Sequence, residues 1–467
     1  MNTPQESPTP SCTNNKSMDP HIHAHDSPAL RLLPEILAIM FSFHVEANPT
    51  TNLAENIPGG MTRAQYRLGW ITVTHVCSHW RLVALNHRTL WTHLRFDLGL
   101  EWTAEMLHRA GDAPLNLTFC KEFVPFPPSK DDVATVISRL LHRANTLTIE
   151  QGACTRAVLS SLTLPAPLMN SLNISSDQLA ILPRSIFADS VPKLQRLSLL
   201  NILPTWTTPA LTGLKSLSIV INCHTDASDI PSYAELFDAL QAMPYLESLA
   251  LGGCLPLGPV PYFLDERRIQ IPTLRFLLLN AHVLGFRNIL EHLVFPPETI
   301  VWGTCLTGDM TGQECCDILP LLLSRLPRPS LETLSVSWGD RFDRSFHITG
   351  HSTSHEEEIS GKPSFFPRNR RRISIDFQFK FLLWSAEQKL RILKAVCNAL
   401  PTEELRLLRG KLDLEKRRGL KSSGASKIAT CLRLFPPDSS VIHPISRPGR
   451  SLPGASVSNA VRYGYQL

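Results

Sequence analysis

One pattern constrains this chain more than any other: an apolar residue, two variable positions, a leucine, one further position and an aliphatic. It stands at Leu194, Leu197, Leu199; Leu214, Leu217, Ile219; Leu246, Leu249, Leu251; Leu274, Leu277, Leu279; and Leu331, Leu334, Val336. Weaker copies centre on Leu147, Leu172, Ile300, Ile373 and Leu405, and the mean spacing is about 29 residues. The closing alternation suits a short strand with one buried face, because successive side chains of a strand point to opposite sides. A unit this short cannot bury that face alone, so neighbouring units must stack into a continuous core. Helical periodicity fills several intervals: Val133, Val136, Ile137, Leu140 and Leu141; Leu236, Phe237, Leu240 and Met243; Leu390, Leu393, Val396, Cys397 and Leu400. The 37 prolines against 23 glycines supply the punctuation that many short elements need. The expected fold class is therefore α/β, with short parallel strands and helices.

These units resemble leucine-rich repeats, and the resemblance implies a curved solenoid, or horseshoe, over residues 100–408. The asparagine or cysteine of that motif, three residues after the second strand leucine, is present as Asn222 and Cys254 but replaced by Ile202 and His282. An irregular horseshoe is expected. Residues 339–372 read as an exposed insertion, acidic at Glu356 to Glu358 and basic at Arg368, Arg370, Arg371 and Arg372. The repeat pattern stops after Leu408, and residues 409–467 read as a basic, disordered tail. A nuclear import signal at Lys416, Arg417 and Arg418 is an alternative reading of part of it.

The N-terminal part has a different character. Residues 1–30 are rich in Ser, Thr, Pro and Asn and read as a disordered tail. From Leu33 the apolar residues Ile36, Leu37, Met40, Phe41 and Phe43 predict a helix with one apolar face, opened by Pro34 and by Glu35 at the positive end of its dipole. Residues 46–66 read as a polar loop. A second helix is expected from about Ile71 to Leu85, on the spacing of Val73, Val76, Cys77, Trp80, Val83 and Ala84, with Leu90 and Trp91 as a further anchor. A segment this small is marginal without a partner.

Leu33, Pro34 and Glu35, then Val76, Cys77, Trp80 and Arg81, then Leu90 and Trp91 together resemble the F-box. The loop after Phe43 is longer than that family's norm, and Leu68 to Cys77 looks closest to the F-box families of mushroom-forming fungi. The resemblance implies a small all-helical domain over residues 31–95 that docks the Skp-type linker subunit and, through it, the cullin and RING subunits of a ubiquitin ligase. The linker-binding residues it implies are Leu33, Pro34, Glu35, Ile36, Met40, Val76, Cys77, Trp80 and Trp91. The repeats would then bind a target protein.

Other classes fare worse on the sequence. A net charge of +5 over 467 residues gives no general attraction to nucleic acid, and the basic runs lack interleaved stacking aromatics. A nucleic-acid-associated protein using those runs is one alternative, and an F-box scaffold acting outside the ligase is another. No apolar run approaches the length of a membrane span or a secretory signal, so a soluble cytoplasmic or nuclear protein is expected. The 11 cysteines include no Cys-x-x-Cys pair and read as reduced, mostly buried thiols; Cys315 and Cys316 fall in a helix ahead of Ile318 and Leu321. His21, His23 and His25 lack any shell to orient a metal. No Gly-x-Ser-x-Gly elbow, phosphate-binding loop or His-Glu-x-x-His is present, and neither catalysis nor a cofactor is expected.

Overall fold

A computed structural model describes residues 31–57, 61–120, 130–150, 156–223, 230–306, 313–324, 331–338, 345–352, 373–380, 391–392, 395 and 407–411. All of them lie within one compact unit, Met1–Asp413. The fold is mixed α/β, built on a large sheet that is mostly parallel.

The chain opens with helix α1 (Pro34–Ala47) and a hairpin of β1 (Thr51–Ile57) and β2 (Met61–Arg67). A 3-10 segment (Gly69–His75), helix α2 (Ser78–Asn86) and a short turn (Arg88–Trp91) follow. Strands and helices then alternate: β3 (His93–Arg95), α3 (Leu100–Ala110), β4 (Leu115–Phe119), α4 (Lys130–Leu140), β5 (Ala144–Ile149), α5 (Arg156–Ser161) and β6 (Ser171–Ile181). Next come β7 (Arg196–Leu203), β8 (Ser216–Val220), α6 (Tyr233–Gln241), β9 (Ser248–Gly252), β10 (Ile269–Gln270), β11 (Phe276–His282), α7 (Val283–His292), β12 (Leu293–Val294) and β13 (Ile300–Leu306). The last described elements are α8 (Gln313–Ser324), β14 (Leu331–Trp338), β15 (Ser345–Ser352), β16 (Ile373–Lys380) and β17 (Leu407–Lys411).

From β3 to β9, then β11 and β13, each strand lies beside and parallel to the one before it in the main sheet. The register places Leu94, Leu117, Leu147, Leu172, Leu197, Leu217, Leu249, Leu277 and Val301 in one row across nine strands. None of these nine is more than 3% exposed, so the row forms the spine of the core. A second row follows two residues along: Ile149, Ile174, Leu199, Ile219, Leu251 and Leu279. At β13 this row ends in Gly303, where an added Cβ would lie 2.6 Å from the Phe286 ring. The phenyl group of α7 fills the space that an isoleucine or leucine occupies in the preceding strands.

Helices cover the leucine side. α6 carries Leu236, Phe237 and Leu240 into the core, and α7 carries Phe286, Ile289 and Leu290. α6 begins with a capping box in which Ser232 Oγ accepts from the Glu235 N–H while Glu235 accepts from the Ser232 N–H. This satisfies two donors that a helix start otherwise leaves unpaired. Phe237 also stacks on His292, with ring centroids 4.9 Å apart.

Asparagine holds adjacent turns together, though one residue earlier than the motif predicts. Asn201 adopts the left-handed region (φ 57°), donates from Nδ2 to the Ser176 carbonyl at 2.8 Å and accepts from the Asn222 N–H at 2.7 Å. Cys254 stands where the motif allows cysteine, buried, with its thiol 3.7 Å from the Ile219 carbonyl. His282 is exposed and precedes α7.

Several expectations are corrected. The N-terminal segment is not all-helical: residues 51–57 and 61–67, nearly all inside the stretch 46–66 read as polar loop, pair as two antiparallel strands whose Asn, Gln and charged residues hide them. The second helix is shorter than its periodicity suggests, because Gly69 (φ +54°) turns the chain and Cys77 is extended, its sulfur accepting from the Trp80 N–H at 3.4 Å. A Cβ at residue 69 would lie 2.5 Å from the carbonyl oxygens of Asn48 and Pro49. The sheet begins at β3, inside the segment assigned to the docking module, and one continuous apolar core runs from Leu37 to Ile392.

At the other end, β14 does not follow β13. The order there is β13, β16, β15, β14, β17, with β15 antiparallel to both of its neighbours. The region read as an exposed insertion thus contributes β15 to the sheet, and its charged runs lie outside the described residues. The repeat centred on Ile300 is displaced by one, since Val301 occupies the row, and Ile375 rather than Ile373 is its partner in β16. Leu405, the helix assigned to 390–400 apart from Arg391, Ile392 and Ala395, the N-terminal tail and residues 412–467 lie outside the described residues, whereas Arg409, Gly410 and Lys411, assigned to a disordered tail, belong to β17 and pair with β14. Of the cysteines, Cys254 and Cys305 are buried, whereas Cys77, Cys120, Cys223 and Cys316 are half-buried.

Candidate docking surface

Each residue of an α-helix turns the chain by about 100°, so 14 residues sample every direction in α1. The apolar residues expected on one face divide into two. Leu37, Ala38, Phe41 and Val45 are buried against the 3-10 segment, α2 and the turn before β3. Ile36, Ile39, Met40 and Phe43, at positions i, i+3, i+4 and i+7, are 45–68% exposed, and Leu33 ahead of the helix is 64% exposed. A helix with one face in a core normally carries polar residues on the other. Here the outer face is an apolar stripe about two turns long.

The inner face is held rigidly. Phe41 packs on Trp80, with centroids 5.2 Å apart, and Trp70 meets Trp91 edge-on at 4.9 Å. Trp91 is 1% exposed, its indole N–H donates to the Ala84 carbonyl at 2.8 Å, and the Arg109 guanidinium of α3 lies 4.3 Å above its ring. Arg81 donates from Nε to the Thr74 carbonyl at 2.7 Å, fixing α2 against the 3-10 segment. His79 lies 3.1 Å from the Leu32 carbonyl and ties the entry of α1 to α2. Pro34 occupies the first turn, where its missing N–H costs nothing.

Beside the stripe, α1 and α2 enclose a groove of about 620 Å³. Pro34, Ile39 and Ser42 form one wall, and His79, Leu82 and Asn86 form the other. Leu82 is 61% exposed, and Val76, in the turn before α2, is 58% exposed.

Of the nine residues expected to contact a partner, Leu33, Pro34, Glu35, Ile36, Met40 and Val76 are exposed at or near α1. Cys77 and Trp80 are half-buried and engaged in capping and ring packing. Trp91 is corrected outright: it is a core residue, sealed by Trp70 and Arg109, and offers no surface. Ile39, Phe43 and Leu82 complete the patch and were missed as contact residues. The i+3 and i+7 positions from Ile36 carried the signal for the first two; nothing local marks Leu82 as outward-facing.

Among the described residues, no group of three or more His, Cys, Asp or Glu side chains is placed to hold a metal ion, and no helix is long and apolar enough to cross a membrane. Comparison with protein-family models, curated proteins and solved structures finds no match to this chain.

Proposed function

We propose that this chain is a protein-binding adaptor with two working parts: an N-terminal docking helix and an extended sheet scaffold. More specifically, it acts as an F-box subunit of a cullin-RING ubiquitin ligase. It binds the Skp-type linker through α1 and neighbouring residues, and recruits a target protein through an irregular leucine-rich-repeat array. Transfer chemistry takes place on the other subunits; this chain contributes proximity, by raising the effective concentration of target near the ubiquitin carrier.

The observation that carries the proposal is the outer face of α1. Exposing four large apolar side chains in register along one helix costs solubility and brings no packing in return, unless a partner covers them. An apolar helix face presented to a complementary groove is a recurrent mode of protein recognition, with anchors at i, i+3, i+4 and i+7, the spacing of Ile36, Ile39, Met40 and Phe43. The ordered residues Leu33, Pro34 and Glu35, then Val76, Cys77, Trp80 and Arg81, direct the choice of partner to the linker.

The test is reconstitution. The full chain is mixed with purified linker and cullin subunits and run on a sizing column. A stoichiometric complex is expected from the native chain, and none from the Ile36→Ser/Met40→Ser variant. Failure of the native chain to co-elute would remove the ligase reading.

A further inference from the structure

The docking module, from α1 to the turn Arg88–Trp91, is joined to the sheet by almost no chain. β3 begins at His93, so Thr92 alone lies between them. Thr92 is buried, its hydroxyl donates to the Thr89 carbonyl at 2.9 Å, and its own carbonyl accepts from the Asn116 N–H of β4 at 2.9 Å. Joints between independent domains lie in exposed, flexible segments that few contacts cross. This joint is hydrogen-bonded to both sides and sits in the core, flanked by Leu90 and Leu94 at 1% and 0% exposure.

Helix α3 closes the seam from the sheet side. Its residues Thr103, Met106 and Ala110 are buried, and it packs against β3 and against the turn that ends the module. Glu105 and Arg109, one turn apart, form an ion pair at 2.7 Å, which holds the guanidinium over the Trp91 ring. Trp91 in turn meets Trp70 of the 3-10 segment and donates to the Ala84 carbonyl of α2. A single indole thus connects α3 with two elements of the module.

A second contact lies at the end of α3. Gly111 takes φ +53° there, and a Cβ on it would stand 3.3 Å from Nη1 of Arg88, so an arginine of the module lies against the exit of the helix. Arg143, immediately ahead of β5, donates to the Gly111 and Ala113 carbonyls and holds the same exit from the sheet side. Packed interiors are barely compressible, so a module gripped in this way moves with the sheet.

We infer that this chain is a rigid spacer: α3 clamps the docking module to the sheet through Trp91, and the outer face of α1 keeps one orientation relative to the strands. Arg109 is then a positioning residue, acting through the indole. What rigidity does for transfer rests on the adaptor reading. A target seated on the sheet would stand at one distance and angle from whatever docks on α1, with reach set by the fold and not by a tether.

Two measurements on the full chain, neither needing the linker subunit, test the inference. Spin labels are attached to ketone-bearing residues introduced at Ser42 and Lys193, both exposed, which leaves the 11 cysteines untouched. Pulsed dipolar electron paramagnetic resonance should give a single narrow distance distribution. A broad or bimodal one would overturn the inference. In the second measurement, amide hydrogen exchange is followed by mass spectrometry on both sides of the seam, in α1 and α2 and in β4 and β5. Arg109→Gln removes the cation over the indole and should speed exchange about two- to fivefold, equally on both sides, because one body opens as one. Arg109→Lys keeps a cation and should restore most of the protection. Acceleration confined to α1 and α2, or none on either side, would overturn the clamp. Ile36→Ser/Met40→Ser should leave the distance distribution unchanged, so a failure of linker docking and a failure of rigidity are read separately.

Discussion

The parallel sheet and α1 are both rich in aliphatic residues, but they use them in opposite ways. In the central strands the core row is continuous: Leu197, Leu217, Leu249 and Leu277 sit side by side and buried, while Ser198, Ser218, Ala250 and Leu278 form the alternate row. Every large aliphatic of that core row is consumed by folding. In α1 the chain makes more apolar surface than the fold takes up, and Ile36, Ile39, Met40 and Phe43 are left outside. A residue's type therefore says little about its role until the number of faces that the fold can cover is known. A strand in this sheet has one core face for its leucines, whereas a helix lying on the edge of the structure has one face inward and the remainder available.

The largest expected effect breaks the comparison at its strongest point. Leu249→Asp places a carboxylate in the middle of the spine, where Leu249 is 0% exposed, and should cost more than about 4 kcal/mol or prevent folding. Ile36→Asp on the outer side of α1 should cost about 0.5 kcal/mol or less. Denaturant unfolding of the two variants checks this; equal losses would mean that the stripe is part of the core.

A smaller effect sharpens the account of how the sheet departs from its own repeat. Phe286→Ala should cost about 3–5 kcal/mol, because it empties the space above Gly303. Gly303→Leu should cost about 1–3 kcal/mol or more through overpacking against the same ring. Combined, the two changes restore the leucine row, and the double variant should be more stable than the sum of the single losses predicts. Simple additivity in chemical denaturation would show that Phe286 does not stand in for the missing leucine.

Asn201→Gly keeps the left-handed backbone but removes the side-chain bridge between the turns at Ser176 and Asn222, and should cost about 1–3 kcal/mol by the same measurement. The mildest test concerns Cys254. Burial pushes its thiol up to about 12, so it remains protonated at neutral pH and only the unfolded chain offers the reactive thiolate. Mass-spectrometric mapping after brief alkylation at pH 8 should find Cys254 unmodified in the folded protein and modified after denaturation. Labelling in the native state at the rate of a half-buried thiol such as Cys77 would contradict the packing around it.

The sheet was legible in the sequence where one rule acts alone. The strong repeats at Leu197, Leu217, Leu249 and Leu277 fall in register because alternation and turn spacing leave a strand no other way to bury its leucines. The helices of residues 130–140 and 233–241 follow from the 3.6-residue period for the same reason. What escaped depends on contacts distant in sequence. Gly303 breaks the alternation because a ring from α7 arrives there, and β15 enters the sheet through backbone pairing that its Ser, Gly and His content does not announce. The break at Cys77 is set by a sulfur cap and by the close approach of Gly69 to Asn48 and Pro49, neither visible as a period. At the candidate docking surface, the helical period of α1 was legible, but its division into a buried face and an exposed one depends on what lies beneath it. Trp91 shows the limit most plainly: a motif position marks that a residue matters, not whether it serves the partner or the core.

The central claim is that the two faces of α1 have different tasks, and one paired measurement on each of two variants tests it. Ile36→Ala/Met40→Ala changes the outer face, and Leu37→Ala/Phe41→Ala changes the inner one. Each is assayed for thermal unfolding and for binding to the purified Skp-type linker by titration calorimetry. The outer variant should unfold with the native chain but lose roughly 2 kcal/mol of linker affinity, a factor of about thirty. The inner variant should lose several kcal/mol of stability. Native linker affinity in the outer variant, or a loss of folding equal to that of the inner one, would contradict the account.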